Sequence, residues 1–225
     1  MAKNKPKELR LSPSSLNLYL DCPRCFWLQF NKGIKRPSGP FPSLPGGMDI
    51  VIKKYFDTFR AKGELPPELE GKVEGKLLKD MELMRKWRNW RTGLRYEDKE
   101  LDAVLSGALD DCLVDDGKYI PVDYKTRGFD LKADSSALYD NQLSCYNLLL
   151  EKNGYQHNSS AYLAYYIPKE VCEGGVVKFK IEVVKMNADP DKAFRTFKSA
   201  VQLLKGDIPP ADERCGFCGW SEGKK

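Results

Sequence analysis

The feature that most limits what this chain can fold into is Asp115-Asp-Gly-Lys118, set between two short apolar runs. Such a tetrapeptide is a turn signal between two strands. From Arg95 to Thr126 the apolar residues come in short runs of this kind, so the middle of the chain reads as a meander of strands. If 119–125 is a strand, Asp123 and Lys125 are two apart and point to one face. A hairpin through the turn then brings Asp110, on the preceding strand, beside Asp123.

Helical spacing flanks this meander. Residues 13–30 read as a helix with Ser12 as N-cap, Pro13 at its first position and an interruption at Pro23. Further helices are expected over 48–62, up to about Trp90, over 134–153 (ended by Asn153-Gly154), and over 189–205 with Asp189 near the cap. The Pro- and Gly-rich stretch 36–47 reads as a connector loop, and 63–76 as a second loop. SSAYLAYYIP and VVKFKIEVVKM read as two more strands, and the tail beyond 205 as irregular. The expected fold is α/β: a mixed central sheet flanked by helices, in a single domain over 1–225.

Composition agrees with a globular protein, at 225 residues with 41% hydrophobic and 31% charged. No apolar run approaches the ~18 residues of a membrane helix. The segment MAKNKPKELR has no apolar stretch behind its basic residues, so a cytoplasmic location is the default. A net charge of +5 permits nucleic-acid binding, and equally describes a solvated basic face. Basic residues gather at 3–10, 32–36 and 85–95. The last stretch interleaves Trp87, Trp90 and Tyr96 with cations, which suits single-stranded nucleic acid or, alternatively, an amphipathic element with its aromatics in the core.

The converging trio has a use for each member. Carboxylates are hard ligands for Mg²⁺ or Mn²⁺, a metal-bound water is a stronger nucleophile, and Lys125 can orient that water or offset developing charge. On spacing alone an exposed hairpin with ordinary salt bridges explains the residues as well.

Seven cysteines in a chain of this kind are not a disulfide framework. Cys22-Pro-Arg-Cys25 and Cys215-Gly-Phe-Cys218 form two pairs at opposite ends, and together they can complete a four-thiolate site that clamps the ends. Zinc and an iron–sulfur cluster both suit it. Cys112, Cys145 and Cys172 stand alone in apolar patterns and are expected in the core.

Three stretches taken in order sharpen the reading: Gly107 to Asp110, Asp123 to Thr126, and Gln142-Leu-Ser-Cys-Tyr146. This order of G-x-x-D, (D/E)-x-K-T and a helix bearing Q-x-x-x-Y resembles the RecB-like branch of the PD-(D/E)xK nucleases, including CRISPR-associated RecB-like exonucleases and AddB-like proteins. The resemblance implies a restriction-endonuclease-like sheet and a metal held by Asp110, Asp123 and the carbonyl of Tyr124. It also implies that Gln142 and Tyr146, four apart on one helix face, contact the DNA backbone or support the metal. The branch often has a metal-binding histidine in an early helix. Here the matching context, Gly46-Gly-Met-Asp49, offers an aspartate that is either a ligand or a helix N-cap. The lone histidine, His157, reads as a loop residue.

Ser12-Pro-Ser14-Ser15-Leu16 leading to Cys22-Pro23 is similar to the iron–sulfur members of the branch, which implies a [4Fe–4S] cluster, with Zn²⁺ as the alternative. The two-and-two distribution of cysteines departs from those members. Residues 11–30 and 206–220 are then expected to form a small helical lobe clamped by the cysteines. The function implied is a metal-dependent DNA nuclease, an exonuclease on single-stranded DNA or DNA ends, in CRISPR adaptation or DNA repair. The alternative is a nucleic-acid-binding adaptor with little cleavage activity. The sequence has no P-loop signature, so a helicase, like CRISPR integration proteins, would be a separate partner.

Overall fold

The structure, a computed structural model, describes residues 8–39, 43–132 and 134–221. The basic positions before Glu8 and part of the Pro/Gly connector lie outside the described residues. Elements follow in the order β1 (Leu9–Leu11), α1 (Pro13–Asp21), α2 (Pro23–Lys32), α3 (Ser43–Lys62), β2 (Lys76–Leu77), α4 (Met81–Arg88), β3 (Leu94–Asp98), β4 (Ala103–Gly107), β5 (Asp111–Asp115), β6 (Lys118–Thr126), α5 (Asp140–Lys152), β7 (Ser160–Val171), β8 (Val177–Asn187), α6 (Pro190–Lys205) and α7 (Gly216–Ser221).

The ends of the first helices are written in local chemistry. Ser12 and Ser15 exchange hydrogen bonds in a capping box: the Ser15 N–H donates to Ser12 Oγ at 3.3 Å, and the Ser12 N–H to Ser15 Oγ at 2.7 Å. Pro23 breaks the chain as expected, so that Cys22 ends α1 and caps α2.

Three expectations are corrected. Helix α3 starts at Ser43 rather than 48, taking Pro45, Gly46 and Gly47 into its opening turns. A proline is tolerated there because first-turn N–H groups have no intrahelical partner to lose. Helix α5 starts at Asp140 rather than 134. Ser135 instead holds a turn with Lys132, through Lys132 N–H to Ser135 Oγ at 2.9 Å, and a 3₁₀ turn over Ala137–Tyr139 follows. The tail contains one short helix, α7, which carries Cys218.

The strands form two sheets. A three-stranded sheet has the order β1-β4-β3, and a five-stranded mixed sheet the order β2-β5-β6-β7-β8. The expected meander therefore splits at 108–110, with β3 and β4 on one side and β5 and β6 on the other. Strands β6 and β7 are parallel, so a crossover must link them, and α5 is that crossover. Alternation along β7 sends Leu163, Tyr165 and Ile167 toward Leu143, Leu149 and Leu150 of α5. Tyr162, Ala164 and Tyr166 go to the other face, with Ile52 and Phe56 of α3. The mixed sheet flanked by helices and the terminal cysteine lobe are thus as the sequence led one to expect. Among the described residues, no helix is long and apolar enough to cross a membrane.

Candidate active site and cysteine centre

The turn sets the geometry. Asp116 and Gly117 both take positive φ (44° and 75°), and the strands pair Asp115 with Lys118 and Asp111 with Val122. One step further out, Asp110 stands opposite Asp123. The Tyr124 N–H donates to Asp110 Oδ2 at 3.2 Å.

On the α5 face of β6, Lys125 forms an ion pair with Asp123 Oδ2. Gln142 Nε2 donates to Asp123 Oδ1 at 2.9 Å and to Tyr146 Oη at 2.7 Å, while its Oε1 accepts from Lys125 Nζ at 3.3 Å. Each expected residue of the trio and of the Q-x-x-x-Y pair is therefore brought to one place.

The Asp123 side chain is 1% exposed. Burial, joined by the charge of Asp110 and opposed by Lys125, pushes its pKa up to about 7. Its Oδ2 is buried and is held by the Lys125 ammonium. A hard cation fits this donor set, because it offsets two neighbouring carboxylates whose repulsion adds to burial in raising the Asp123 pKa.

Asp49 lies inside α3, past its first turn, so the N-cap reading is corrected. Its Oδ2 accepts from Lys53 Nζ at 2.7 Å, and the same ammonium lies 2.8 Å from Asp110 Oδ1. Burial works against the Lys53 charge, yet the carboxylates of Asp110 and Asp49 outweigh it and raise its pKa. Sequence reading missed Lys53. Its signal was the i,i+4 spacing from Asp49, which places both on one helix face.

A PD-(D/E)XK nuclease superfamily profile matches residues 49–222. The chain belongs to the PD-(D/E)XK nuclease superfamily. Among curated proteins no sequence matches. Thirteen solved chains match in fold, among them the crystal structure of SSO0001, at 15% identity and TM-score 0.50, covering 98% of this chain and 88% of that one.

Behind the Asp110–Asp123–Lys125 cluster lies a buried charge network. Asp111 and Arg60 have fully buried side chains in contact with each other, and Arg88 joins Asp111 (2.8 Å) to Asp57 (2.8 Å). Tyr124 Oη donates to Asp111, and Arg88 Nε donates to the carbonyl of Asp110 at 2.8 Å. The network thus holds the backbone on which Asp110 sits. Nothing in the spacing of Arg60, Arg88 and Asp111 announces it.

The glycine of the motif has a steric reason. A Cβ on Gly107 would come 2.9 Å from Leu149 Cδ1 and 3.3 Å from Tyr146 Cε1, so a larger residue would make those α5 side chains shift. Beside it opens a cleft of about 480 Å³, lined by Arg10, Ser14, Asn17, Trp90, Gln142 and Tyr146 among others. The cleft shares Gln142 and Tyr146 with the Asp123–Lys125 cluster.

The aromatic stretch divides. Trp87 is core, stacked edge-on against Tyr119 and Tyr155, and Tyr96 packs toward Phe194 and Phe197. Trp90 is 67% exposed, with the Arg91 guanidinium over its ring. Of these three aromatics, Trp90 is the one whose ring is exposed enough to stack on a ligand. His157 lies in the loop before β7, near Glu151.

The four paired cysteines meet. Cys22, Cys25, Cys215 and Cys218 are all buried, and their sulfurs lie within 4.8 Å of one another, a cluster able to hold a metal. Burial drives the Cys25 thiol up to about 12. The same effect at Cys215 is outweighed by the Cys218 N–H and the neighbouring thiols, which bring it down to about 7. Of the other cysteines, Cys112 and Cys145 are buried as expected, whereas Cys172 is half-exposed and outside the core.

Proposed function

We propose that the chain is a metal-dependent deoxyribonuclease, an exonuclease acting on single-stranded DNA or DNA ends. Asp110, Asp123, the Tyr124 carbonyl and Asp49 would hold Mg²⁺ or Mn²⁺. A divalent ion there supplies acidity for the attacking water and charge neutralisation for the phosphodiester. Lys125 orients the water and offsets charge that develops on the phosphate. Gln142 fixes the Asp123 carboxylate and Lys125 relative to each other, and Tyr146 braces Gln142.

The observation that carries this reading is the buried Asp123 carboxylate, paired with Lys125 and raised in pKa by burial and by Asp110 beside it. A single-stranded substrate is favoured by the cleft, where an exposed tryptophan and Arg10 stand next to Gln142 and Tyr146. The RecB-like order of motifs relates the activity to DNA repair or CRISPR adaptation, with a separate helicase or integration proteins as partners. At the cysteines, the resemblance supports a [4Fe–4S] cluster and the donor set equally admits zinc.

The test is cleavage of end-labelled single- and double-stranded DNA with Mg²⁺ or Mn²⁺, comparing wild type with Asp123→Ala and Lys125→Ala. Metal-dependent shortening from an end, lost in both variants, is expected. Absence of cleavage by wild type, or equal cleavage by all three proteins, overturns the reading.

A further inference from the structure

We infer that the four-cysteine centre holds a single zinc ion in a tetrathiolate shell, not an iron–sulfur cluster. The spacing of the sulfurs decides between them. Cys22 Sγ lies 3.6 Å from Cys218 Sγ, and Cys25 Sγ lies 3.7 Å from Cys215 Sγ. All four sulfurs fall within 4.8 Å of one another. A Zn–S bond of about 2.3 Å in a tetrahedron gives sulfur–sulfur edges of about 3.8 Å. A four-iron cluster interposes its own cube of iron and sulfide, which spreads the cysteine sulfurs to roughly 6 Å or more. Two of the six sulfur–sulfur edges match the size of a one-ion shell, and none exceeds 4.8 Å.

Its surroundings agree. The side chains of all four cysteines are buried, so the shell is closed, as in structural zinc sites. Cys22 caps α2 and its sulfur accepts from the Cys25 N–H at 3.4 Å, which holds the first pair as a chelating turn. One zinc with four thiolates leaves a net charge of −2, and the Arg36 guanidinium donates to Cys215 Sγ at 3.4 Å while lying over the Phe217 ring. Zinc is redox-inert, so the centre fastens rather than transfers electrons. What it fastens is α1 and α2 to the segment around α7. Helix α1 carries the Ser14 and Asn17 wall of the cleft, and Asn17 Oδ1 accepts from Asn141 Nδ2 of α5 at 2.6 Å. The inference stands independently of any DNA cleavage.

The test uses the full chain, expressed with both iron and zinc supplied and purified without oxygen. One zinc per chain, no acid-labile sulfide and no broad absorbance near ~400 nm are expected. Replacement by Co²⁺ should give the intense red-region bands of tetrahedral cobalt thiolate. Because zinc can load an emptied cluster site, the chain is also treated anaerobically with ferrous iron and sulfide. Failure to form a cluster is expected. Uptake of four irons with labile sulfide and the ~400 nm band, or a wild-type chain that binds neither metal, overturns the inference.

Discussion

Lys53 Nζ stands 2.8 Å from Asp110 Oδ1, so that an ammonium group from α3 occupies the flank of the carboxylate pair assigned to a divalent ion. The same ammonium holds Asp49 at 2.7 Å. A lysine that bridges two carboxylates competes with a metal for them, since both cations draw on the same oxygens.

Replacing Lys53 by Met should therefore strengthen metal binding. One charge removed at contact distance in a half-buried site is worth about 1–2 kcal/mol, or about tenfold in affinity. Mn²⁺ titration by calorimetry reads this directly. Unchanged or weaker binding would mean that the ammonium does not occupy the ion's place. Asp49→Asn, by contrast, should weaken Mn²⁺ binding, because it removes one of the proposed ligands.

Asp123 gives a pH dependence of stability. Its carboxyl has a pKa near 7 in the folded protein, raised chiefly by burial, against the ordinary value of 3.8. Between about pH 4 and 7 the folded state keeps a proton that the unfolded chain has lost, so metal-free stability falls as pH rises through that window. Asp123→Asn removes the slope. At pH 8 the metal-free variant should be more stable than wild type, by at most about 4 kcal/mol. Urea unfolding in chelator at pH 5 and pH 8 checks this. A wild-type profile parallel to that of the variant would rule out the raised pKa.

The site was legible where its members lie close in sequence and the strand period is two. Asp110, Asp123 and Lys125 follow from one turn, because Asp116-Gly117 fixes the register, and Gln142 and Tyr146 follow from one helix turn. Lys53, Arg60 and Arg88 were not legible as site residues. They reach Asp110 and Asp111 from other elements, and contacts such as Arg60 to Asp111 span 51 positions with no local pattern. Helix starts were lost for another reason. Pro45 and the two glycines after it look like a loop by propensity, but first-turn positions tolerate them. The aromatic stretch could be resolved only by packing, since Trp87 and Trp90 are three apart and would share a face had α4 not ended at Arg88.

Those two tryptophans should separate cleanly on mutation. Trp87→Ala empties a fully buried site and should cost about 3–5 kcal/mol of stability. Trp90→Ala should leave the melting temperature nearly unchanged and weaken single-stranded DNA binding by about 1–3 kcal/mol, with little effect on duplex. Thermal unfolding and fluorescence anisotropy with a labelled oligonucleotide measure both. Equal loss of single- and double-stranded affinity in the Trp90 variant would remove the stacking role.

The buried network behind Asp110 should couple stability to activity. Asp111→Asn leaves Arg60, which is wholly buried, and Arg88 with Asp57 as their remaining carboxylate, and removal of one partner from such a pair costs about 3–5 kcal/mol. Arg60→Met alone should cost less, because Asp111 keeps Arg88 and the Tyr124 hydroxyl as partners. The double variant Arg60→Met, Asp111→Leu should recover part of the loss, because an apolar pair leaves no unpaired buried charge. Activity should not recover with it. Arg88 then lacks its Asp111 anchor while still bonding the Asp110 carbonyl, and Tyr124 loses its acceptor, so the backbone on both sides of the carboxylate pair is freed. Urea unfolding and DNA cleavage, measured well below the melting temperature of each variant, separate the two effects. Full return of cleavage in the double variant would show that the network supplies stability alone.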